Sequence, residues 1–155
     1  MNKQKSKNQF SFFMAILLLI LVALGCDLGP SRIDSLETFK DKDGKDASTS
    51  FKADEPIVTI VKLTSFSGKA KVRSFMSPAE DMDGLKKGET IEGTGKTVEI
   101  NDDQFAHFTF LLGPNFPPGK YTVTAELLGE DGKVQNTQST EITVQKSTGD
   151  DQKSN

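Results

Sequence analysis

The chain has one cysteine and one histidine among its 155 residues, so thiol and imidazole chemistry each have a single address, Cys26 and His107. A lone cysteine closes no internal disulfide and cannot build a thiolate metal site with cysteine partners it lacks. Cys26 sits beside Asp27, Gly29 and Pro30 in no strand or helix pattern, which points away from a core role and towards covalent modification. His107 would need a nucleophile and an orienting acid to work as a catalytic base. No Ser or Cys stands near it in sequence, and its closest carboxylates are Asp102 and Asp103. It alternates out of phase with Phe108 and Phe110 and is expected on a sheet surface. A transition-metal site built on it would require both aspartates as ligands, and that pair reads more simply as a solvated turn. The sequence therefore assigns no catalytic residue, no metal and no cofactor.

Three loops carry partial motifs. Asp41-Lys42-Asp43-Gly44 and Asp81-Met82-Asp83-Gly84 echo a calcium loop, but aligning each glycine on position six puts Ser50 and Thr90 where the bidentate Glu belongs. Turn chemistry is the better account of both. Gly93-Thr94-Gly95-Lys96-Thr97 lacks the four-residue spacer of a phosphate loop and is assigned to a hairpin or bulge. Gly113-Pro114-Asn115-Phe116-Pro117-Pro118-Gly119 is stiffened by prolines. It offers Phe116 either as a partner-binding aromatic or as a plug for the end of a sandwich.

Basic Lys3, Lys5 and Lys7 precede a 15-residue apolar run from Phe10 to Leu24, the order of a secretory signal. The run is shorter than the roughly 20 residues that span a bilayer comfortably. At its end Val22-Ala23-Leu24-Gly25-Cys26 resembles the lipobox of bacterial lipoproteins, with Ala23 where that family usually has Leu. The resemblance implies that Cys26 receives a thioether-linked diacylglyceryl group and that cleavage just before it removes residues 1–25. Two or more acyl chains at about 0.8 kcal/mol per buried methylene hold a protein stably to a membrane. Asp27 resembles the inner-membrane retention signal of some enteric bacteria.

These assignments presuppose elements able to position them. Loss of the leader leaves 16 basic and 22 acidic residues, a mildly acidic chain without the cationic surface that nucleic acid requires. Residues 27–55 are polar, with Leu28, Ile33, Leu36, Phe39 and Phe51 scattered as the larger apolar groups. A lipidated cysteine and flexible tether over 26–55 is expected, with a short helical turn possible across Ser31 to Glu37. Beyond Pro56, apolar alternation separated by turn residues predicts strands near 57–63, 69–76, 89–94, 97–100, 106–112, 121–127 and 140–144.

Short connections between about seven such strands imply antiparallel pairing, and so an all-β sandwich over 56–146. A polar tail follows over 147–155. Pro118-Gly119-Lys120-Tyr121-Thr122-Val123, placed before an Asp131-Gly132 hairpin, resembles the end of immunoglobulin-like and fibronectin-like bacterial modules. That resemblance implies a corner at Tyr121, with its ring inward and its hydroxyl on backbone.

The function expected from these features is a bacterial lipoprotein of the cell envelope, non-enzymatic, whose sandwich binds or scaffolds an envelope or extracellular protein. Two alternatives stand beside it: an inhibitor-like or adhesin module working through 113–119, and a small-ligand carrier or enzyme using His107.

Overall fold

A computed structural model describes residues 31–64, 68–82, 84–101 and 104–147. Within them the chain is all-β, a two-sheet sandwich of eight strands. These are β1 (Arg32–Phe39), β2 (Ser50–Lys52), β3 (Pro56–Thr64), β4 (Lys69–Pro78), β5 (Lys96–Asn101), β6 (Phe105–Leu111), β7 (Gly119–Leu128) and β8 (Val134–Gln145). One sheet has the order β1-β3-β6 and the other β2-β8-β7-β4-β5.

The alternation that predicted strands also selects the buried faces, because successive side chains in a strand point to opposite sides. In β7, Tyr121, Val123, Ala125 and Leu127 are withdrawn from water, as are Val72 and Met76 in β4. They meet Ile57, Val61 and Leu63 of β3 and Ala106, Phe108 and Phe110 of β6 in a single core. Ser74 also points inward, and its hydroxyl donates to the Thr124 carbonyl at 3.0 Å, which meets the rule that a buried polar group needs a partner.

Three expectations are corrected. Over residues 31–55 the expected tether and the helical turn at 31–37 give way to β1 and β2, while residues 26–30 lie outside the described residues. β1 pairs antiparallel with β3 from Arg32↔Thr64 to Phe39↔Val58, with a bulge between Ile33 and Ser35. Ile33, Leu36 and Phe51, too sparse to make a core of their own, help to cover one that exists, while Phe39 lies on the other face of its sheet. Ile33, Phe39 and Phe51 are buried, and Leu36 packs against the core.

The pairing is also not wholly antiparallel. β2 runs parallel to β8, Phe51 opposite Val144, a register the long excursion between them permits. Finally, 89–94 is a turn rather than a strand. It docks on β4 just beyond the start of β5: Ile91 N–H donates to the Met76 carbonyl at 2.9 Å and Met76 N–H to Thr94 Oγ1 at 3.1 Å.

β8 extends further upstream than its apolar end suggests, because Asn136 to Thr140 pair with β7 residues Leu127 to Val123 while their own side chains are polar. The β7–β8 hairpin turns at Gly132, φ 75°, with Gly129 N–H donating to the Lys133 carbonyl at 2.9 Å. Leu63 N–H donates to the Gln104 carbonyl at 2.8 Å beside β6, which sets the direction of the backbone groups along that strand.

Candidate functional site

The proline-braced segment forms a closed turn. Phe116 N–H donates to the Gly113 carbonyl at 2.9 Å, and Pro114 occupies the second position, where its fixed φ suits a β-turn. The chain then passes through Pro117 and Pro118 into β7. There Tyr121 is fully buried and its hydroxyl donates to the Pro117 carbonyl at 2.6 Å. Burial raises the Tyr121 phenol above its ordinary value of 10.0, because a phenolate would lose its hydration.

Phe116 stands over that tyrosine with ring centroids 5.1 Å apart and planes inclined 43°, a tilted arrangement that aromatic quadrupoles favour. It is half-buried against the core, so the structure makes it both a partial plug of the sandwich end and a partly presented aromatic.

A second loop meets the first. Met82 lies so close to Gly119 that a Cβ there would come within 2.4 Å of the Met82 Sδ. A side chain at position 119 would have to displace the flexible Met82 thioether. Met82 and Leu85 exchange backbone hydrogen bonds at 2.9 and 3.0 Å, and Ala79 N–H donates to the Lys120 carbonyl at 3.0 Å. The half-buried groups Met82, Leu85 and Phe116 therefore cover the Tyr121 end of the core. Sequence reasoning had singled out Phe116 and Tyr121 but not Met82, whose only signal was an apolar residue inside a loop that otherwise looked solvated.

The other loops use their polar groups on themselves. The Asp41 carboxylate accepts N–H groups from Asp46 at 2.6 Å, Lys45 at 3.0 Å and Asp43 at 3.1 Å. Those bonds, that from Asp46 foremost, hold it below its ordinary 3.8. Asp43 pairs with Lys45 at 3.2 Å. Asp81 accepts the Lys87 N–H at 2.8 Å, while Asp83 lies outside the described residues. Thr94 is buried, donating to the Ile91 carbonyl at 2.7 Å while accepting from Met76, so the glycine-rich 93–97 segment serves to dock a turn.

His107 is exposed on β6 opposite Ile60 of β3. Asp102 and Asp103 lie outside the described residues, as do residues 1–30, Cys26 among them, and residues 148–155. Among the described residues no three His, Cys, Asp or Glu side chains gather for a metal ion. The outer face of the β1-β3-β6 sheet carries an open depression of about 190 Å³ lined by Phe39, Ile60, Lys62 and Phe105 among others, smaller than the roughly 300 Å³ at which small-molecule sites begin.

No protein-family model matches the chain, and a search of curated proteins finds no match. Among solved structures it is similar to a family 76 glycoside hydrolase from a bovine Bacteroides thetaiotaomicron strain. That likeness has 16% identity and a TM-score of 0.45, over 72% of this chain but 20% of the hydrolase. An immunoglobulin-like protein from Pseudomonas aeruginosa matches at 11% identity and a TM-score of 0.43, over 76% of this chain and 98% of its own. The soluble domain of PmoD from Methylocystis matches at 12% identity and 0.41, over 71% and 89%.

Proposed function

We propose that the chain is a bacterial lipoprotein, exported and held to a membrane by lipid on Cys26, whose sandwich serves as a non-enzymatic binding or scaffolding module in the cell envelope. The observation that carries this reading is the place of the lipobox-like Val22–Cys26 segment relative to the domain, since β1 begins at Arg32, six positions beyond the cysteine. Six peptide steps reach at most about 20 Å. The sandwich would work close to the bilayer rather than at the end of the long tether that residues 26–55 suggested.

Replacing Cys26 by Ser in the full chain should shift it from the membrane fraction to the soluble fraction while its β-rich circular dichroism is unchanged. A variant that pellets as the wild type does would refute the anchor. Asp27 points to the inner membrane, and recovery with the outer membrane would reverse that assignment.

For the partner, the favoured surface is the Tyr121 end, where Phe116 is half-presented on a turn braced by Pro114, Pro117 and Pro118. The same turn supports the inhibitor-like or adhesin reading, in which Phe116 enters a groove on its target. Crosslinking of intact membranes followed by purification of the chain tests both, with an envelope or extracellular protein as the expected product.

A further inference from the structure

We propose that the chain forms a two-fold symmetric dimer in which the β6 edges of two copies pair antiparallel, centred on Phe108, to join two three-stranded sheets into one of six strands. The inference rests on β6 alone and stands apart from the anchoring at Cys26.

The first support is the direction of the backbone. In an antiparallel ladder the N–H and C=O of one residue point the same way, and the direction alternates along the strand. The Gln104 carbonyl faces β3, because it accepts from Leu63 N–H at 2.8 Å. Ala106, Phe108 and Phe110 follow it towards β3, leaving Phe105, His107, Thr109 and Leu111 to direct their amides and carbonyls outward. The Thr109 carbonyl independently reports this, since it receives the Lys96 ammonium from β5. Among the described residues no strand pairs with that side of β6.

The second support is composition. Soluble proteins blunt open edges with charge, bulges or very short strands. β1 carries Arg32, Asp34, Glu37 and a bulge; β2 is three residues long and carries Lys52; β5 carries Lys96 and Glu99. β6, Phe-Ala-His-Phe-Thr-Phe-Leu, has no charged residue. It also holds two of the three large hydrophobic residues exposed among the described residues, Phe105 at 48% and Leu111 at 78%.

The third support selects a second copy as the occupant. Phe105 and Leu111 are equidistant from Phe108. Antiparallel pairing of β6 with itself about Phe108 sets Phe105 of each copy opposite Leu111 of the other, and His107 opposite Thr109. All four lie on the outer face, because their β3 partners are Lys62, Pro56, Ile60 and Val58. The outward amides and carbonyls fall in hydrogen-bonded register, and no like charges meet within the strand. This is the self-complementarity an isologous interface requires, with cross-strand apolar pairs as its side-chain contribution. The Lys96 ammonium has to leave the Thr109 carbonyl for the edges to close.

The test measures the molar mass of the full chain in detergent solution by light scattering across a concentration series, with two variants. Thr109→Pro removes an outward N–H that β3 does not use, and Leu111→Lys places a charge at an exposed position, so a folded sheet is expected in both by circular dichroism. The expected result is a protein mass of two chains at high concentration for the wild type, and of one chain for each variant. Amide exchange at His107 and Thr109 should be slow in the wild type and fast on dilution. A wild type of one-chain mass throughout, or a two-chain species that survives in either variant, would overturn the proposal.

Discussion

The Tyr121 hydroxyl donates to the Pro117 carbonyl at 2.6 Å while its ring is wholly buried, so one side chain joins the core to the loop that enters β7. Tyr121→Phe keeps the ring and loses the bond. A destabilisation of about 1 kcal/mol is expected by denaturant unfolding. Tyr121 is the only tyrosine, so absorbance titration reads it directly. Its folded pKa is raised above 10.0 by burial. The associated stability is complete below the unfolded value and disappears as pH climbs through the folded one. The alkaline loss of stability should therefore be smaller in Tyr121→Phe. An ordinary midpoint near 10 would contradict the burial account.

Phe116 has two roles to separate. Because its ring packs 5.1 Å from that of Tyr121, Phe116→Ala should cost about 1–2 kcal/mol, less than the 3–5 of a fully buried Phe. If the aromatic also enters a partner, crosslinked product should fall far more than the small unfolded fraction explains. Phe116→Leu separates the two by restoring much of the stability without restoring an aromatic contact.

Thr94 holds the 91–94 turn to β4. Thr94→Val preserves shape but leaves the Met76 N–H, now bonded to Thr94 Oγ1 at 3.1 Å, without an acceptor in a buried place. A loss of about 2 kcal/mol in unfolding free energy is the expected outcome. Thr94→Ser should recover most of it, and equal losses in the two variants would show that packing rather than the hydroxyl matters.

The Asp41 loop should respond to acid. The carboxylate is depressed below 3.8, first by the Asp46 N–H and further by those of Lys45 and Asp43. A depressed carboxylate contributes to the fold above its unfolded pKa and ceases to do so as pH falls through the folded one. Asp41→Asn should accordingly speed amide exchange at Lys45 and Asp46 at neutral pH, and the difference should vanish in strong acid. A difference independent of pH would mean that the charge is irrelevant.

How far this fold was legible depended on where the apolar alternation was dense. β3, β4, β6 and β7 were each readable because their inward residues are aliphatic or aromatic at period two. β1 escaped because its bulge between Ile33 and Ser35 breaks that period. The amino-terminal half of β8 escaped because Asn136, Thr137, Gln138 and Ser139 pair through backbone and offer no apolar face. At the Tyr121 end, the aromatic and prolines were visible as residues. The apposition of Met82 to Gly119 was not, because two loops 37 positions apart in sequence share no local pattern. The outward direction of Phe105 and Leu111 likewise follows from register with β3, which only the assembled sheet defines.

The parallel union of β2 with β8 sets an order of events. Ser50, Phe51 and Lys52 pair with Thr143, Val144 and Gln145, and the Ile33 amide donates to the Asn136 side chain 103 positions away at 2.9 Å. Contacts of such separation form late, after the entropy of closing the intervening loop has been met. A chain emerging amino end first, from a ribosome or a translocation channel, would therefore hold β2 unpaired until its final strand had come through. Shortening the carboxyl end by the last residues of β8 would remove the clasp that closes the domain.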